Sequence, residues 1–167
     1  MALYSASWTS ITPTATADTT NLVDSTYALV LLGGSSTMRL GINEVYIGGE
    51  AASTSSPSIM VLARDSTVAA TVTAGTTRNA ALDGSTTAPG TLATVGHIAT
   101  TKPQRSATLH LLHLSFNAYG GIARWQARHG EEITVVGNTA SLGEVSLSAF
   151  TGGTTGATSG HVLYELK

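Results

Sequence analysis

The sequence predicts an all-β protein, an antiparallel two-sheet sandwich of the jelly-roll type with about 8–10 strands and an extended N-terminal arm. Charged residues make up only 11% of the chain, and Ser and Thr together make up roughly a quarter. Thr favours strands and Ser and Gly favour turns, whereas the charged residues that favour helices are scarce. Short apolar or alternating segments recur between turns rich in Gly, Ser and Thr, with no βαβ rhythm and no internal repeat.

The length of 167 residues is that of one domain able to bury a substantial core. We assign residues 1–26 to an arm and connector and residues 27–167 to a single β-sandwich domain. Within the sandwich, residues 66–105 are rich in Thr, Ala and Gly and form a long, weakly structured excursion. Strands are predicted there at 68–73 and 92–98, and a helical turn at 78–82.

The N-terminal arm carries two aromatic residues that need cover. Tyr4 and Trp8 alternate with Leu3 on the other phase, as in a short strand, and a Thr-rich connector follows. These residues either pack on their own domain or cover a neighbouring subunit, so Leu3, Tyr4 and Trp8 are interface candidates. On the second interpretation, deleting residues 1–12 weakens contact with a neighbour and leaves the sandwich folded.

A phase change marks the second strand of the sandwich, at 38–48. Leu40 and Ile42 share one parity, whereas Val45 and Ile47 take the other. An extra residue near Asn43 and Glu44 would restore one continuous buried face, so the sequence predicts a β-bulge there. The other strands are predicted at 27–32, 59–65, 131–136, 144–150 and 161–167.

The stretch 109–128 has the clearest pattern in the chain. Both phases of 109–116 are apolar, whereas 122–128 alternates polar residues with Ala and Trp. The glycines of the intervening segment 117–121 supply the positive φ angles of a tight turn. The sequence therefore predicts a hairpin in which a buried strand pairs with an amphipathic one.

This hairpin also supplies contact candidates. Trp125 has small neighbours on its phase and is assigned to the core. Arg124 and Arg128 share the polar phase, which is either solvated or faces an acidic neighbour surface. Tyr119 lies at the tip of the turn. We therefore name Tyr119, Arg124 and Arg128 as interface candidates.

No residue pattern indicates catalysis, a cofactor or a metal. His110 and His113 are three residues apart, so on a regular strand they point to opposite faces and cannot hold one ion together. The serines lack a Gly-x-Ser-x-Gly context, and the chain contains no cysteine. We expect a protein that is not an enzyme and has no bound cofactor.

Charge and hydropathy limit the partners. The formal net charge of −2 offers no basic surface for nucleic acid. The N-terminal residues lack the pattern of a signal peptide, and the longest apolar run, 27–32, is too short to cross a bilayer. We expect no nucleic-acid partner, no membrane association, and assembly inside a bacterial cell.

Several strands are apolar on both phases, notably 27–32, 59–62 and 109–116. An outer sheet of a monomeric sandwich normally has one polar face. The second face is covered by a long loop or by another subunit, and the low charge favours the subunit. The sequence therefore predicts a homo-oligomer.

Four segments within residues 27–167 resemble a known family: SIMVLARDS, NAALD, PQRSATLHLLHLSFNAYGGIARWQARHGEEI and SGHVLYELK. They are similar to the jelly-roll capsid decoration, or cement, proteins of tailed bacteriophages. The resemblance implies a virion protein, commonly trimeric, that lies on the capsid surface and bridges neighbouring major capsid proteins. It carries over no individual functional residue, since the family is recognised by its strand framework.

A second function class remains open. A jelly-roll module of a head or tail fibre would recognise a host glycan or receptor through aromatic and acidic residues in its loops. Here the loops consist mostly of Ser, Thr, Gly and Ala, and most aromatic residues lie in strands or in the arm. This distribution favours the structural interpretation.

Overall fold

The computed structural model describes residues 3–9, 27–33, 39–49, 57–67, 72–73, 78–84, 93–96, 98–99, 104–136, 143–149 and 158–167. These segments are all-β, as the composition predicts. No helix among them is long and apolar enough to cross a membrane. Their strands are β1 (Leu3–Thr9), β2 (Tyr27–Gly33), β3 (Arg39–Gly49), β4 (Pro57–Thr67), β5 (Val72–Thr73), β6 (Arg78–Ala81), β7 (Ala93–Gly96), β8 (Ile98–Ala99), β9 (Gln104–Asn117), β10 (Ile122–Gln126), β11 (Ile133–Val136), β12 (Val145–Ala149) and β13 (Thr158–Leu166).

Two antiparallel sheets form a sandwich. Sheet A has the order β10-β3-β13-β1-β6, and β11 also pairs with β3. Sheet B has the order β7-β2-β12-β4-β9, and β5 and β8 form a separate two-stranded ribbon. The predicted two-sheet antiparallel sandwich is therefore confirmed.

The longer strands pair in a nested order. Strand β1 pairs with β13, β2 with β12, β3 with β10, and β4 with β9. The first strand of the chain thus pairs with the last, and the second strand pairs with the second-to-last. Because β1, β3, β10 and β13 lie in sheet A and β2, β4, β9 and β12 in sheet B, successive long strands mostly alternate between the sheets.

The bulge predicted in β3 is confirmed. Leu163 of β13 pairs with Glu44, and the next residue, Tyr164, pairs with Ile42, so Asn43 is the extra residue. The partner of β3 on its other edge changes at the same point. Gln126 at the end of β10 pairs with Glu44, and Ile133 at the start of β11 pairs with Ile42.

The predicted hairpin at 109–128 is wrong. Both strands form, but β9 pairs with β4 in sheet B and β10 pairs with β3 in sheet A. The turn between them therefore carries the chain from one sheet to the other. The amide of Gly121 donates to the carbonyl of Asn117 at 2.8 Å, and Gly120 has a φ of 73°. The local turn chemistry is as expected, whereas the pairing is set by distant strands.

Parts of the excursion at 66–105 also join the sandwich. Its predicted strands overlap β5, β7 and β8, but the predicted helical turn at 78–82 is wrong. Residues Arg78–Ala81 instead form β6, which pairs with β1 at the edge of sheet A. Pairing to β1 satisfies the backbone of this short segment, so the tertiary context determines its conformation.

The core lies between the sheets and is aliphatic with two aromatic residues: Leu31, Leu40, Ile42, Val45, Ile47, Met60, Leu62, Leu114, Phe116, Val135, Val145, Leu147, Val162 and Tyr164. Trp125 is partly buried and packs against this cluster, as predicted. The inward residues of β3 fall on both sides of the bulge at Asn43, which keeps one apolar face along the whole strand.

Sheet B is buried on both faces along β4. Val61 and Ala63 alternate with the core residues Met60 and Leu62, yet all four are fully buried within the single chain. The apolar second face of this strand is therefore covered by its own chain. It no longer argues for a second subunit, and the homo-oligomer remains a prediction.

The first strand lies inside sheet A. Residues 3–9 pair with β13 along their full length and with β6 on the other edge. The N-terminal segment thus contributes a strand to its own sheet, between two neighbours. The side chains of Leu3, Tyr4 and Trp8, and the connector at 10–26, lie outside the described part of the chain.

Candidate functional site

A buried carboxylate lies on the outer face of sheet A. Glu44 of β3 is only 6% exposed, although its face of the sheet points away from the core. Its Oε2 is 2.6 Å from Nη2 of Arg124 on β10, and its Oε1 is 2.9 Å from Nε2 of His161 on β13. The ring of His161 stacks on Tyr46, with centroids 5.2 Å apart. We call Glu44, Tyr46, Arg124 and His161 the Glu44 cluster.

Strand register brings this cluster together. Arg124 and His161 both pair with Tyr46, from opposite edges of β3. Glu44 is two residues from Tyr46 and shares its face, so its carboxylate reaches both neighbouring strands. The cluster therefore links three strands of sheet A on the face opposite the core.

The charges of the cluster stabilise each other. The hydrogen bond from Arg124 lowers the pKa of Glu44 from its ordinary value, and burial opposes this shift. The same bond raises the pKa of Arg124. The side chain of Arg124 remains 55% exposed, so one side of its guanidinium faces solvent. The pair is thus both a structural link and a charged surface feature.

A cleft of about 620 Å³ adjoins the cluster. One wall is the segment that joins β10 to β11, which we call the 127–132 loop. The amide of Ala127 donates to the carbonyl of the bulged Asn43 at 2.8 Å, and Gly130 has a φ of 84°. The bulge and the loop occur at the same point of β3, so the change of edge partner creates the cleft.

The cleft is lined mainly by polar and charged side chains: Asn43, Glu44, Gln126, Ala127, Arg128, His129, Gly130, Glu132, Leu163, Glu165 and Lys167. Its volume is within the usual range of small-molecule sites, roughly 300–1,000 Å³. Most of its lining residues are polar or charged, although their carbon atoms contribute more of the lining surface than their nitrogen and oxygen atoms do. The arrangement is suited to a polar, hydroxyl-rich or charged ligand.

At one end of the cleft, Lys167 bridges two carboxylates. Its Nζ is 2.9 Å from Oε1 of Glu165 and 3.2 Å from Oε2 of Glu132. The backbone amide of Gly130 donates to Oε1 of Glu132 at 3.0 Å. This amide, the glutamate's own amide and Lys167 lower the pKa of Glu132 to about 2. Glu132 therefore holds the 127–132 loop while it is ionised.

The guanidinium of Arg128 and the imidazole of His129 would face a ligand in the cleft. Among the described residues, the side chains of Arg128 and His129 have no ion-pair partner. Both residues are exposed in the 127–132 loop. Arg128 was predicted as an interface residue, and it lies in the wall of this cleft.

A small apolar patch lies at the turn that joins the sheets. Tyr119 is 59% exposed and Ile122 is 64% exposed, and both are among the large apolar residues with the greatest exposure in the described segments. Arg124 follows two residues after Ile122 on the same face of the edge strand β10. The structure thus brings two predicted candidates, Tyr119 and Arg124, to one edge, and adds Ile122 to them.

The prediction that His110 and His113 point to opposite faces of their strand is wrong. Nδ1 of His110 lies 2.8 Å from Nε2 of His113. Leu62 pairs with Leu112 and the next residue, Ala63, pairs with His110, so β9 contains an extra residue at Leu111. This bulge reverses the alternation and places both imidazoles on the outer face of sheet B.

Sequence reasoning missed most of the cleft and of the Glu44 cluster. Glu44 and Tyr46 share one phase of β3, and His161 and Glu165 share one phase of β13. Each strand thus has polar residues on one face. This pattern could have predicted a polar outer face on each strand, but it could not predict that β3 lies between β10 and β13. No group of three or more His, Cys, Asp or Glu in the described segments could hold a metal ion.

Comparison with protein-family models, with curated proteins and with solved structures finds no match for this chain.

Proposed function

We propose that the chain is a jelly-roll virion protein that decorates and stabilises a bacteriophage capsid by bridging neighbouring major capsid proteins. The nested strand pairing carries this proposal. Pairing of the first strand with the last, and inward to β4 with β9, is the order of a long hairpin rolled into two sheets. The jelly roll, a two-sheet sandwich, recurs in viral capsid proteins and in lectins.

The contact surface of the proposal is the edge formed by Tyr119, Ile122 and Arg124. An exposed aromatic and an exposed aliphatic side chain beside an arginine match the composition of interface hot spots. They lie on a short turn and an edge strand, which are anchored at two points. Gly49 donates to the carbonyl of Gly121 at 2.9 Å, and Gly121 donates to Asn117.

Low charge is a second supporting feature. Only 11% of the residues are charged, and the formal net charge is −2. Copies held close together on a lattice repel one another weakly under these conditions. A homo-oligomer, with a trimer favoured by the family resemblance, is part of the proposal.

Binding to undecorated heads tests this function. Purified protein is mixed with heads of the encoding phage that lack it, and bound protein is measured by co-sedimentation. We expect saturable binding that Tyr119→Ala and Ile122→Ser weaken at least tenfold. Leu82→Ser removes an apolar side chain of similar exposure, 55%, from another surface and should leave binding unchanged. Absence of binding by the folded wild-type protein would overturn the proposal.

The cleft favours a second candidate, a fibre-borne module that binds a host surface glycan or receptor. The polar and charged residues of its lining, among them the exposed Arg128, suit hydroxyl and carboxylate groups of sugars. Retention of the protein on host cells, reduced by Arg128→Ala and unaffected by Tyr119→Ala, would favour this candidate. Retention that depends on Tyr119 and not on Arg128 would exclude the cleft as the binding site.

A further inference from the structure

The bulge in β9 assembles two imidazoles into one group. Val61 and Ala63 share the outer face of β4, and their partners on β9 are His113 and His110. Since paired residues lie on the same face of a sheet, both histidines also face outward. They lie on the edge strand of sheet B, where a ligand can approach from the side.

The distance between the two nitrogens matches a chelating pair. Imidazole nitrogens bind transition metals at about 2.0–2.1 Å, so two nitrogens at right angles around one ion are about 2.8–3.0 Å apart. Nδ1 of His110 and Nε2 of His113 are 2.8 Å apart and share a hydrogen bond, so a bound ion displaces the proton between them. A tetrahedral ion would require about 3.3 Å and a small outward rotation of the rings.

The geometry points to a two-histidine site for a divalent transition-metal ion, with His110 Nδ1 and His113 Nε2 as adjacent ligands. The right-angled spacing favours Cu²⁺ or Ni²⁺ over Zn²⁺, because these ions adopt square-planar or tetragonal geometry with nitrogen ligands. The remaining coordination positions are filled by water. The site is independent of the cleft, which lies on sheet A.

Packing alone accounts for only part of this arrangement. The bulge allows Leu111 and Leu112 both to pack against the core. Packing of the two leucines explains the extra residue, but it does not explain why residues 110 and 113 are both histidines. His110 and His113 occupy both flanking positions, and their rings lie with centroids 5.0 Å apart.

Titration of the full, tag-free chain with Cu²⁺ tests the site. Calorimetry should show one site, weakened at least about tenfold by His110→Ala and by His113→Ala, because loss of even an outer-shell partner of a ligand costs ~10–100-fold. His129→Ala removes an exposed histidine from the 127–132 loop and should leave the affinity unchanged. Equal weakening by all three substitutions, or by none, overturns the inference.

Electron paramagnetic resonance of the wild-type protein with one equivalent of Cu²⁺ provides a readout that needs no variant. Two coordinated imidazole nitrogens are expected in the spectrum. A spectrum with one imidazole nitrogen or none would overturn the inference even if the alanine variants fail to fold.

Discussion

Arg124 and Glu44 are 80 residues apart in sequence, and their side chains meet at 2.6 Å on the outer face of sheet A. The carboxylate of Glu44 is nearly buried, whereas the guanidinium of Arg124 is half-exposed. The pair joins the edge strand β10 to β3, and His161 extends the link to β13. The carboxylate of Glu44 thus links the edge strand β10 to β3 and β13, in addition to the backbone pairing of β10 with β3.

Replacing Glu44 with Gln should therefore destabilise the protein. Hydrogen bonds to charged groups contribute about 1.5–3 kcal/mol, and exposure of Arg124 reduces this, so we expect a loss of about 1 kcal/mol. The free energy of unfolding in urea measures it. Glu131→Gln changes an exposed acid of the 127–132 loop and is the matched control. Equal stability of the Glu44 and Glu131 variants would show that the cluster is not a structural link.

The contribution of Glu132 should depend on pH. Its pKa falls from 4.5 to about 2 on folding. Because the folded value is the lower one, ionised Glu132 stabilises the fold above pH 4.5, and this contribution is lost as the pH falls towards 2. In urea unfolding, Glu132→Gln should be less stable than wild type near neutral pH and equally stable near the folded pKa.

Carbon-13 NMR titration of the Glu132 carboxyl measures the same effect directly. The midpoint of the Glu132 titration should lie near 2. A Glu132 midpoint close to 4.5 would show that Gly130 and Lys167 do not hold this side chain in solution.

Two adjacent glycines at the end of β3 should respond differently to substitution. A Cβ on Gly49 would collide with the backbone carbonyl of Ala118, whereas a Cβ on Gly48 meets nothing within 4 Å. Gly49→Ala should cost about 1–3 kcal/mol because the turn between the sheets must shift. Gly48→Ala should change the unfolding free energy by less than about 0.5 kcal/mol. Equal effects would mean that the turn is not packed on β3.

Deleting residues 1–9 should abolish cooperative folding. Residues 3–9 lie between β13 and β6, so their loss removes the partner strand of β6 in sheet A and exposes the full edge of β13. This outcome differs from that of a detachable arm, whose removal leaves the sandwich intact. Thermal unfolding followed by circular dichroism distinguishes them, with deletion of residues 1–2 as the control. A truncated protein with unchanged melting would show that β1 adds little to the sheet.

Alternation along single strands was sufficient to predict the fold class and one irregularity. The parity change between Ile42 and Val45 indicated the bulge at Asn43, because apolar residues on both sides must reach the same core. A bulge that leaves no such change cannot be detected in this way. In β9 both phases are apolar around Leu111, so no change of parity indicates that His110 and His113 share a face.

The strand that β10 pairs with could not be predicted from the sequence, for a different reason. The segment 117–121 has the glycines of a hairpin turn, and its local geometry forms as expected. Whether β10 then pairs with β9 or with β3 depends on distant strands. Glu44 therefore contacts Arg124 of β10, a strand that the local pattern predicted to pair with β9 and that instead pairs with β3.

A cryo-electron microscopy map of the phage particle that contains this chain tests the proposed function most directly. We expect a two-sheet sandwich, with its eight longer strands in nested pairs, on the outer capsid surface, and Tyr119 and Ile122 against a major capsid protein. Density for the chain only at a fibre tip, with these two residues facing solvent, would contradict the account.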